Sequence, residues 1–435
     1  MSTNQKTDSK KSPKLVGQGT YGCVFYPGIS CSGKSESVQY VTKVQKESKE
    51  TDHEKAVGDH IRKKNIKKYY DYFAPVVSTC PLKLASIDKD EISKCDVIQS
   101  DSASNADPAT NTDSATNTDP AYVSVKIRYV GKQTLKEHLL DRLLNDTPTF
   151  FGHMIETQLY LLHALEKLEQ AKVIHYDLKS NNVMFHEKIQ NPVIIDFGMS
   201  VKLEKILAPD VYPKYASIFF EPYEKYPPWC LDIVLISFVV KQDPNQWMKT
   251  KLSTENVKQM RTIVKTYFQE NPVMDHIEDQ KAKSDSEKYW NKWIDEHIQK
   301  SKINVVKDLL EYWNTWDTYS LMVMYYRFMK ENVEVPEMAS FVKTYIQIQE
   351  TYILLPPTKR DTPKQMHKKL KQFSKSIEKK AYLQWNKKMV QYQKQPKVIE
   401  SERNSVEKDL EQDKQIENEL YRKKQAPKQA LTNKH

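Results

Sequence analysis

Residues 175–182, HYDLKSNN, bring together side chains that could act on a hydroxyl group. Asp177 can accept a hydrogen bond from a hydroxyl and orient it for attack. Lys179 offers a positive charge two residues later, and Asn182 offers a neutral oxygen of the kind that Mg²⁺ binds. Asp196, the first residue of an Asp-Phe-Gly triplet, would provide a second oxygen ligand. This combination predicts a phosphoryl transfer in which Asp177 orients the acceptor and the two oxygen ligands hold the metal.

A second candidate segment lies upstream and is rich in glycine. Residues 16–24, VGQGTYGCV, fit the pattern G-x-G-x-x-G-x-V and contain three of only nine glycines in the chain. Glycines let the backbone approach phosphates closely, although a single match also occurs in ordinary hairpins. A dinucleotide site would need a helix after the last glycine, whereas β-like residues follow here. The residues predicted to contact a nucleotide are Val16, Gly17, Gln18, Gly19, Thr20, Tyr21, Gly22, Cys23 and Val24.

Two groups of elements would position these residues. In the first part of the chain, β-like runs at 15–26 and 38–45 predict a hairpin followed by a third strand. Residues 52–68 have helical character, and the strand-like segments 74–79 and 122–130 could pair as neighbours. The later pattern is mainly helical, with apolar residues at helical spacing. The sequence therefore predicts an α+β fold, in which a small β-rich part precedes a large helical part.

Three segments have compositions unlike those of a folded core. Residues 100–121 contain an imperfect six-residue repeat of Asn, Thr, Asp, Ser, Ala and Pro. Such a segment buries too little apolar area to offset its ordering entropy, so it predicts a disordered insertion. Residues 1–13 form a polar leader without a signal-peptide core. Residues 376–435 form a charged tail, either a solvated extension or a docking segment for an acidic or nucleic-acid partner.

The cysteine content and charge bear on the cellular environment. The five cysteines are odd in number, widely spaced and without a C-x-x-C pair, which predicts neither disulfides nor a structural zinc site. The net charge of +10 would suit a polyanion, but dispersed lysines more often form a solvated surface. The longest apolar run, 233–240, is too short to span a bilayer. These features predict a soluble protein of a reducing, cytoplasmic compartment.

In the order and spacing of its motifs, the chain resembles the protein kinase superfamily over residues 14–375. The resemblance implies a bilobal kinase fold, with a β-rich N-lobe at 14–130 and a helical C-lobe at 131–375. It also implies ATP and Mg²⁺ as cofactors and a protein substrate with a Ser or Thr acceptor. Lys179 matches the lysine that the serine/threonine branch of the family has in its catalytic loop. The composition also looks like that of divergent kinases of large cytoplasmic DNA viruses, which would place the protein in the host-cell cytoplasm or the virion.

The resemblance assigns roles residue by residue. Asp177 and Lys179 would be the catalytic residues, with Asn182 and Asp196 as the metal ligands. Lys43 matches the lysine that binds the α- and β-phosphates. The residues assigned to the adenine site are Val24 and Val41 above the ring, Met184 below it, and Arg128 and Val130 at the hinge that follows Ile127. The acidic partner of Lys43 is expected to be Glu54, which apolar residues follow at helical spacing, with Glu47 and Glu50 as alternatives.

The chain departs from the family pattern beyond Asp196. Asp317 and Asp232 both could be the buried aspartate of the helix that anchors the large lobe, and Asp317 is favoured because a family-like segment containing Arg360 follows it. Arg360 would then bind the glutamate that ends the activation segment, for which Glu221 is the nearest candidate. With Asp317 in that role, residues 223–312 would form a helical insertion in the C-lobe.

Tyr176 is a second departure, because many family members have an arginine there that binds a phosphorylated activation loop. We therefore expect an activity that does not need phosphorylation between Val201 and Phe219. Two other functions stay open. One is a catalytically silent scaffold that acts through its insertions and tail, and the other is a kinase-fold enzyme for small molecules or lipids. The presence of Lys43, Asp177 and Asp196 favours an active protein kinase.

Overall fold

The computed structural model describes most of the chain. The described residues are 12–19, 22–35, 37–64, 66–98, 121–186, 188–208, 218–333, 339–393, 415–416 and 418–420. The predicted leader 1–13 and the predicted insertion 100–121 therefore lie almost entirely outside the described residues. Thr20 and Tyr21 of the glycine-rich segment also lie outside them, as does most of the loop between Val201 and Phe219.

The described residues form a mixed α+β structure that divides into two compact units. The first unit comprises Met1–Tyr70, Ala74–Val130 and Asp196–Gly198, and the second comprises Asp71–Phe73, Gly131–Ile195 and Met199–His435. An antiparallel sheet dominates the first unit, whereas helices dominate the second. The α+β class and the order of its two parts are therefore confirmed.

The first unit is built on a five-stranded antiparallel sheet in the order β1-β2-β3-β5-β4. Its strands are β1 (Lys14–Gly19), β2 (Gly22–Tyr26), β3 (Tyr40–Lys46), β4 (Val76–Leu82) and β5 (Tyr122–Arg128). Strands β4 and β5 pair, as predicted for the segments on either side of the repeat. Val24 lies opposite Lys43, and Val41 precedes Lys43 by two residues. Since side chains alternate along a strand and opposite residues share a face, these three side chains lie on one face of the sheet.

Helix α1 (Lys49–Lys63) follows β3 almost directly. It begins where the Ser48 hydroxyl accepts a hydrogen bond from the backbone N–H of Thr51, at 3.3 Å. The helix was predicted at 52–68, and this cap explains why it starts three residues earlier. A short helix, α2 (Lys89–Ile92), lies between β4 and β5 in the sequence.

The cysteine prediction is wrong, because two disulfides join Cys23 to Cys95 and Cys31 to Cys80. Both lie in the first unit, and Cys230 of the second unit is a buried free thiol. Partners 72 and 49 residues apart show no local spacing signal; packing of the segment around β4 against the β1–β2 hairpin brings them together. Disulfides persist mainly in oxidising environments, so the cysteine argument for a reducing compartment no longer holds.

The second unit consists mainly of helices. They are α3 (Leu135–Asn145), α4 (Thr147–Ala171), α5 (Glu204–Leu207), α6 (Leu231–Lys241), α7 (Thr254–Glu270), α8 (Pro272–Asp275), α9 (Gln280–Glu296), α10 (Lys302–Leu310), α11 (Trp316–Asn332), α12 (Ser340–Leu354), α13 (Pro363–Ser376) and α14 (Lys379–Gln393). Two small antiparallel pairs join β6 (Val173–Ile174) to β9 (Val201–Lys202) and β7 (Val183–His186) to β8 (Asn191–Ile194). The predicted insertion at 223–312 contains α6 to α10.

Helix α14 belongs to the region predicted as a charged tail, yet it packs on α4. The Trp385 ring is buried with its centroid 5.4 Å from that of Phe151, and the Asn386 amide donates to the Pro148 carbonyl at 2.7 Å. The apolar side of this helix was not recognised because Lys and Gln surround its few apolar residues. Among the described residues, no helix has the length and apolar character needed to cross a membrane.

Candidate active site

In the first unit, a lysine and two carboxylates from three different elements meet. Lys43 Nζ on β3 lies 4.0 Å from Asp196 Oδ2, and Asp196 Oδ1 accepts a hydrogen bond from the Gly198 N–H at 3.2 Å. Asp196 has a φ of 58°, a left-handed conformation that is costly for a residue with a side chain. This turn directs the carboxylate toward Lys43. Glu54, on α1, completes the group, since its charge interacts with both Lys43 and Asp196.

Glu54 is a buried carboxyl with a shifted pKa. Burial raises the pKa of Glu54 from 4.5 to about 7; the Lys43 ammonium opposes this shift and the Asp196 carboxylate adds to it. Glu54 is 3% exposed, whereas Glu47 and Glu50 are exposed. Of the three acidic residues considered as partners of Lys43, Glu54 is the buried one whose pKa Lys43 affects.

We expect Glu54→Gln to remove a pH dependence from the stability of the first unit. Because the folded pKa of about 7 lies above the ordinary 4.5, the stabilising contribution of the protonated carboxyl is complete below pH 4.5. It is lost as the pH rises through 7, where the buried group must ionise. Glutamine cannot ionise, so at pH 8 the variant should be more stable than the wild type by roughly 1–3 kcal/mol. Protection of the α1 amides against hydrogen exchange, corrected for intrinsic rates, measures this at pH 5 and pH 8.

The control is Glu50→Gln, an exposed position in the same helix. It should leave the protection of α1 unchanged at both pH values, because an exposed carboxylate pays little for ionisation. Equal pH dependence in the wild type and Glu54→Gln would show that Glu54 is not the group that titrates.

In the second unit, the loop between β6 and β7 holds three predicted residues together. Asn182 Nδ2 donates to the backbone oxygen of Asp177 at 2.8 Å and to its Oδ2 at 2.9 Å. Lys179 Nζ lies 3.2 Å from the same Oδ2, and Asp177 is 6% exposed. Since the amide nitrogen of Asn182 makes these bonds, its Oδ1 is the atom with which it could bind a cation. The loop can therefore orient a hydroxyl at Asp177 beside a positive charge.

The Tyr226 side chain also contacts this loop, and no pattern in the sequence indicated this contact. Its buried hydroxyl donates to Asp177 Oδ1 and accepts a hydrogen bond from Lys179 Nζ at 3.2 Å. A tyrosine hydroxyl thus contacts the oxygen that an acceptor hydroxyl would need. Tyr226 is 49 residues from Asp177, in a Tyr- and Pro-rich stretch without periodicity, so no local signal could have identified it.

Asp317 of α11 anchors the loop through its backbone. Its two carboxylate oxygens accept hydrogen bonds from the N–H groups of His175, at 2.7 Å, and Tyr176, at 2.9 Å. Burial raises the pKa of Asp317, while His175 and these two hydrogen bonds oppose the shift. Of the two candidate aspartates, Asp317 and Asp232, Asp317 is therefore the one that holds the backbone of this loop.

Tyr176 is packed among aromatic rings and is almost fully buried. Its ring centroid lies 5.2 Å from that of Trp229 and 5.9 Å from that of Phe220. Its φ of 71° is left-handed, a strained conformation for a bulky residue and one that often marks functional loops. An apolar cluster thus surrounds the position at which an arginine would bind a phosphate. Every hydroxyl residue between Val201 and Phe219 lies at 209–217, outside the described residues, so the prediction about phosphorylation stays a prediction.

The prediction for Arg360 is wrong in its partner. Its Nη1 donates to Asp232 Oδ2 at 2.8 Å, and the two side chains are 2% and 0% exposed. Glu221, the predicted partner, instead lies 3.4 Å from Lys241 Nζ at a more exposed position. Asp232 lies buried in the first turn of α6, where a carboxylate needs a counter-charge, whereas Glu221 can be solvated.

The glycine-rich hairpin has both open and closely packed positions. A side chain at Gly22 would overlap the Val44 carbonyl oxygen, whereas Gly19 has open space around it. Val16 is exposed. The Cys23 side chain, predicted to contact the nucleotide, takes part in a disulfide and lies on the face opposite Val24. Only the backbone of Cys23, and not its side chain, lies beside the paired Gly19 and Gly22.

The remaining predicted residues occupy strand ends in their own units. In the first unit, the Arg128 guanidinium donates to the Tyr70 carbonyl, and Val130 is buried. Ile127 pairs with Val41. In the second unit, Met184 of β7 is half-buried opposite Val193 of β8.

No family model matches the sequence, and neither does any curated protein. In the described part of the chain, no group of three or more His, Cys, Asp or Glu side chains could hold a metal ion. The geometry in the two units therefore carries the functional interpretation. Each unit joins a lysine to a carboxylate within 4.0 Å, Lys43 to Asp196 and Lys179 to Asp177.

Proposed function

We propose that the protein is an ATP- and Mg²⁺-dependent protein kinase that transfers the γ-phosphoryl group of ATP to Ser or Thr hydroxyls. The observation that carries this proposal is the buried Asp177 carboxylate, with Asn182 and Lys179 bonded to it. In the reaction, Asp177 orients the acceptor hydroxyl and accepts its proton. Lys179 then offers its charge to the phosphoryl group as it transfers, where fixed charges are most effective.

The residues of the first unit fit the phosphates and the metal of such a cofactor. Lys43 supplies a cation for phosphate oxygens, and its Nζ lies 4.0 Å from the Asp196 carboxylate. Mg²⁺ usually takes one or two protein oxygens and fills its remaining positions with phosphate and water. Asp196 and Asn182 would be these two ligands, so a larger acidic cluster is not required. Bound ATP supplies the phosphoryl group.

The adenine end of the nucleotide would lie against the apolar side chains on the Lys43 face of the sheet. Val24 and Val41 share that face, and the backbone of Arg128 and Val130 would meet the base. Met184 would contact its other side. On composition alone, we also propose that this protein is related to the divergent kinases of large cytoplasmic DNA viruses.

A catalytically silent scaffold is the second candidate, and the Tyr226 contact favours it. If the Tyr226 hydroxyl never leaves Asp177, no acceptor can reach that oxygen. In this second function, the basic tail would bind an acidic or nucleic-acid partner. The cytoplasmic location stays a prediction. The two disulfides remove the argument that the cysteines provided for it.

Incubation with γ-labelled ATP tests the proposal. The full chain should transfer label to a generic basic protein in the presence of Mg²⁺, and EDTA should abolish the transfer because the phosphates then lack their counter-ion. Phosphoamino-acid analysis should find phosphoserine or phosphothreonine. Label transfer that EDTA does not affect, or no transfer to protein at all, would reject an active protein kinase.

A further inference from the structure

A groove on the second unit runs beside the Asp177 loop, between α3, α11 and residues 226–228. Its floor is apolar, with Leu139, Val323 and Phe328 among the lining residues. Lys179 and Tyr226 line one part of it, so the groove is continuous with the side chains bonded to Asp177. The cavity that remains measures about 60 Å³, large enough to hold water.

Part of this groove is filled by the chain's own C-terminal region. Residues 415–416 and 418–420 are helical, and Ile416 is one of the residues that line the cavity. Ile416 and Leu420 are 9% and 6% exposed, and their spacing places them on one side of a helical turn. Glu419 accepts a hydrogen bond from the buried Tyr223 hydroxyl.

A short turn links this contact to the Asp177 carboxylate. Glu419 binds the Tyr223 hydroxyl, the Tyr226 N–H donates to the Tyr223 carbonyl at 3.3 Å, and the Tyr226 hydroxyl donates to Asp177. The segment therefore contacts one end of the turn through Glu419 and shares a pocket with the other end, since Ile416 and Tyr226 line the same cavity. While it stays there, Tyr226 is held on the oxygen that an acceptor hydroxyl needs.

We propose that residues 415–416 and 418–420 are an internal occupant of this groove and inhibit the Asp177 loop in cis. The inference rests on the proposed kinase function for its effect on activity, while the docking itself does not. The occupant has a defined chemistry: apolar side chains at positions i and i+4 of a helical turn, with a carboxylate at i+3. A protein segment with the same pattern would displace it and free Asp177.

The chain is long enough for the segment to reach its own groove. Helix α14 ends at Gln393, and the next 21 residues could extend to roughly 70 Å. That exceeds the dimensions of a domain of this size, so no second copy of the chain is needed.

The test compares the full wild-type chain with the full-length double variant Ile416→Asp/Leu420→Asp. A fluorescent peptide of residues 410–424 is titrated into each, and anisotropy reports binding. Two buried carboxylates would be costly, so the variant's segment should leave the groove. The peptide should then bind the variant at least tenfold more tightly than the wild type, and a peptide with Ile416→Asp should bind neither. Leu383→Asp, an exposed apolar position on α14, is the matched control and should behave as wild type.

A second variant, Tyr223→Phe, keeps the test informative if the double variant folds poorly. It removes only the hydroxyl that donates to Glu419. Because the internal segment then binds the groove more weakly, the affinity for the peptide should rise several-fold. Equal peptide binding by wild type and both variants would overturn the proposal. A difference that disappears on diluting the protein would also overturn it, since the occupant would then be a second copy.

Activity gives a separate readout. In the double variant, kcat/KM for a protein substrate should rise at least fivefold, with KM for ATP unchanged. Tighter peptide binding without phosphoryl transfer by any form would support the docking and reject the kinase function. Transfer at equal rates by the variant and the wild type would support the kinase and reject inhibition by this segment.

Discussion

Replacing Asp177 with asparagine should lower phosphoryl transfer to protein by roughly a thousandfold. The amide has the size of the carboxylate but can neither accept a proton nor accept hydrogen bonds on both atoms. In the wild type, Oδ1 accepts from Tyr226 and Oδ2 accepts from Asn182. An asparagine can satisfy only one of these donors, so the acceptor hydroxyl would also be poorly oriented. The rate of label transfer at saturating ATP measures the effect.

The KM for ATP should change little in this variant, because Lys43 and Asp196 are the residues proposed to bind the phosphates and the metal. Asp285→Asn is the matched control, since it makes the same change at an exposed position on α9. It should retain wild-type rates. If Asp177→Asn transfers phosphate as fast as Asp285→Asn, then Asp177 is not catalytic and the enzyme proposal fails.

Arg360→Leu should destabilise the second unit by about 3–5 kcal/mol. The substitution would leave the Asp232 carboxylate fully buried without its cation, and its Oδ1 already has no hydrogen-bond partner among the described residues. It would also remove the bond from Arg360 Nε to the Leu355 carbonyl. All seven tryptophans lie in the second unit, so tryptophan fluorescence during urea denaturation follows that unit alone.

A double-mutant cycle separates the ion pair from packing. Asp232→Leu combined with Arg360→Met should recover most of the stability that either single change loses, because no unpaired charge then remains. Lys258→Leu, which breaks an exposed pair with Glu255, should change the free energy of unfolding by less than about 0.5 kcal/mol. Additive losses in the buried cycle would mean that Asp232 and Arg360 do not stabilise each other.

Local patterns were sufficient to predict the class of fold and to single out Asp177, Lys179 and Asn182 as one group. Asn182 and Lys179 lie within five residues of Asp177, so chain connectivity alone keeps them close. The pairing of β4 with β5 was expected from two strand-like segments on either side of a repeat that could not form a core. Such features need no knowledge of how distant segments pack.

Contacts between distant segments could not be predicted in the same way. Tyr226 reaches Asp177 across 49 residues, Arg360 reaches Asp232 across 128, and Cys23 reaches Cys95 across 72. None of these pairs has a period or a spacing that marks it. Glu221 was a reasonable partner for Arg360 by sequence position, but burial decides which carboxylate needs the guanidinium.

The positions of the two disulfides determine where the chain can change in length without altering a covalent ring. The ring closed by Cys31 and Cys80 lies inside the ring closed by Cys23 and Cys95, and both close before the repeat begins. Tandem repeats gain and lose units through slippage during replication. Here such changes would alter neither covalent ring, and each doubling of the connection between β4 and β5 would cost only about 0.6 kcal/mol. A change in the length of the repeat thus leaves both covalent rings, and the sheet that carries Lys43, as they are.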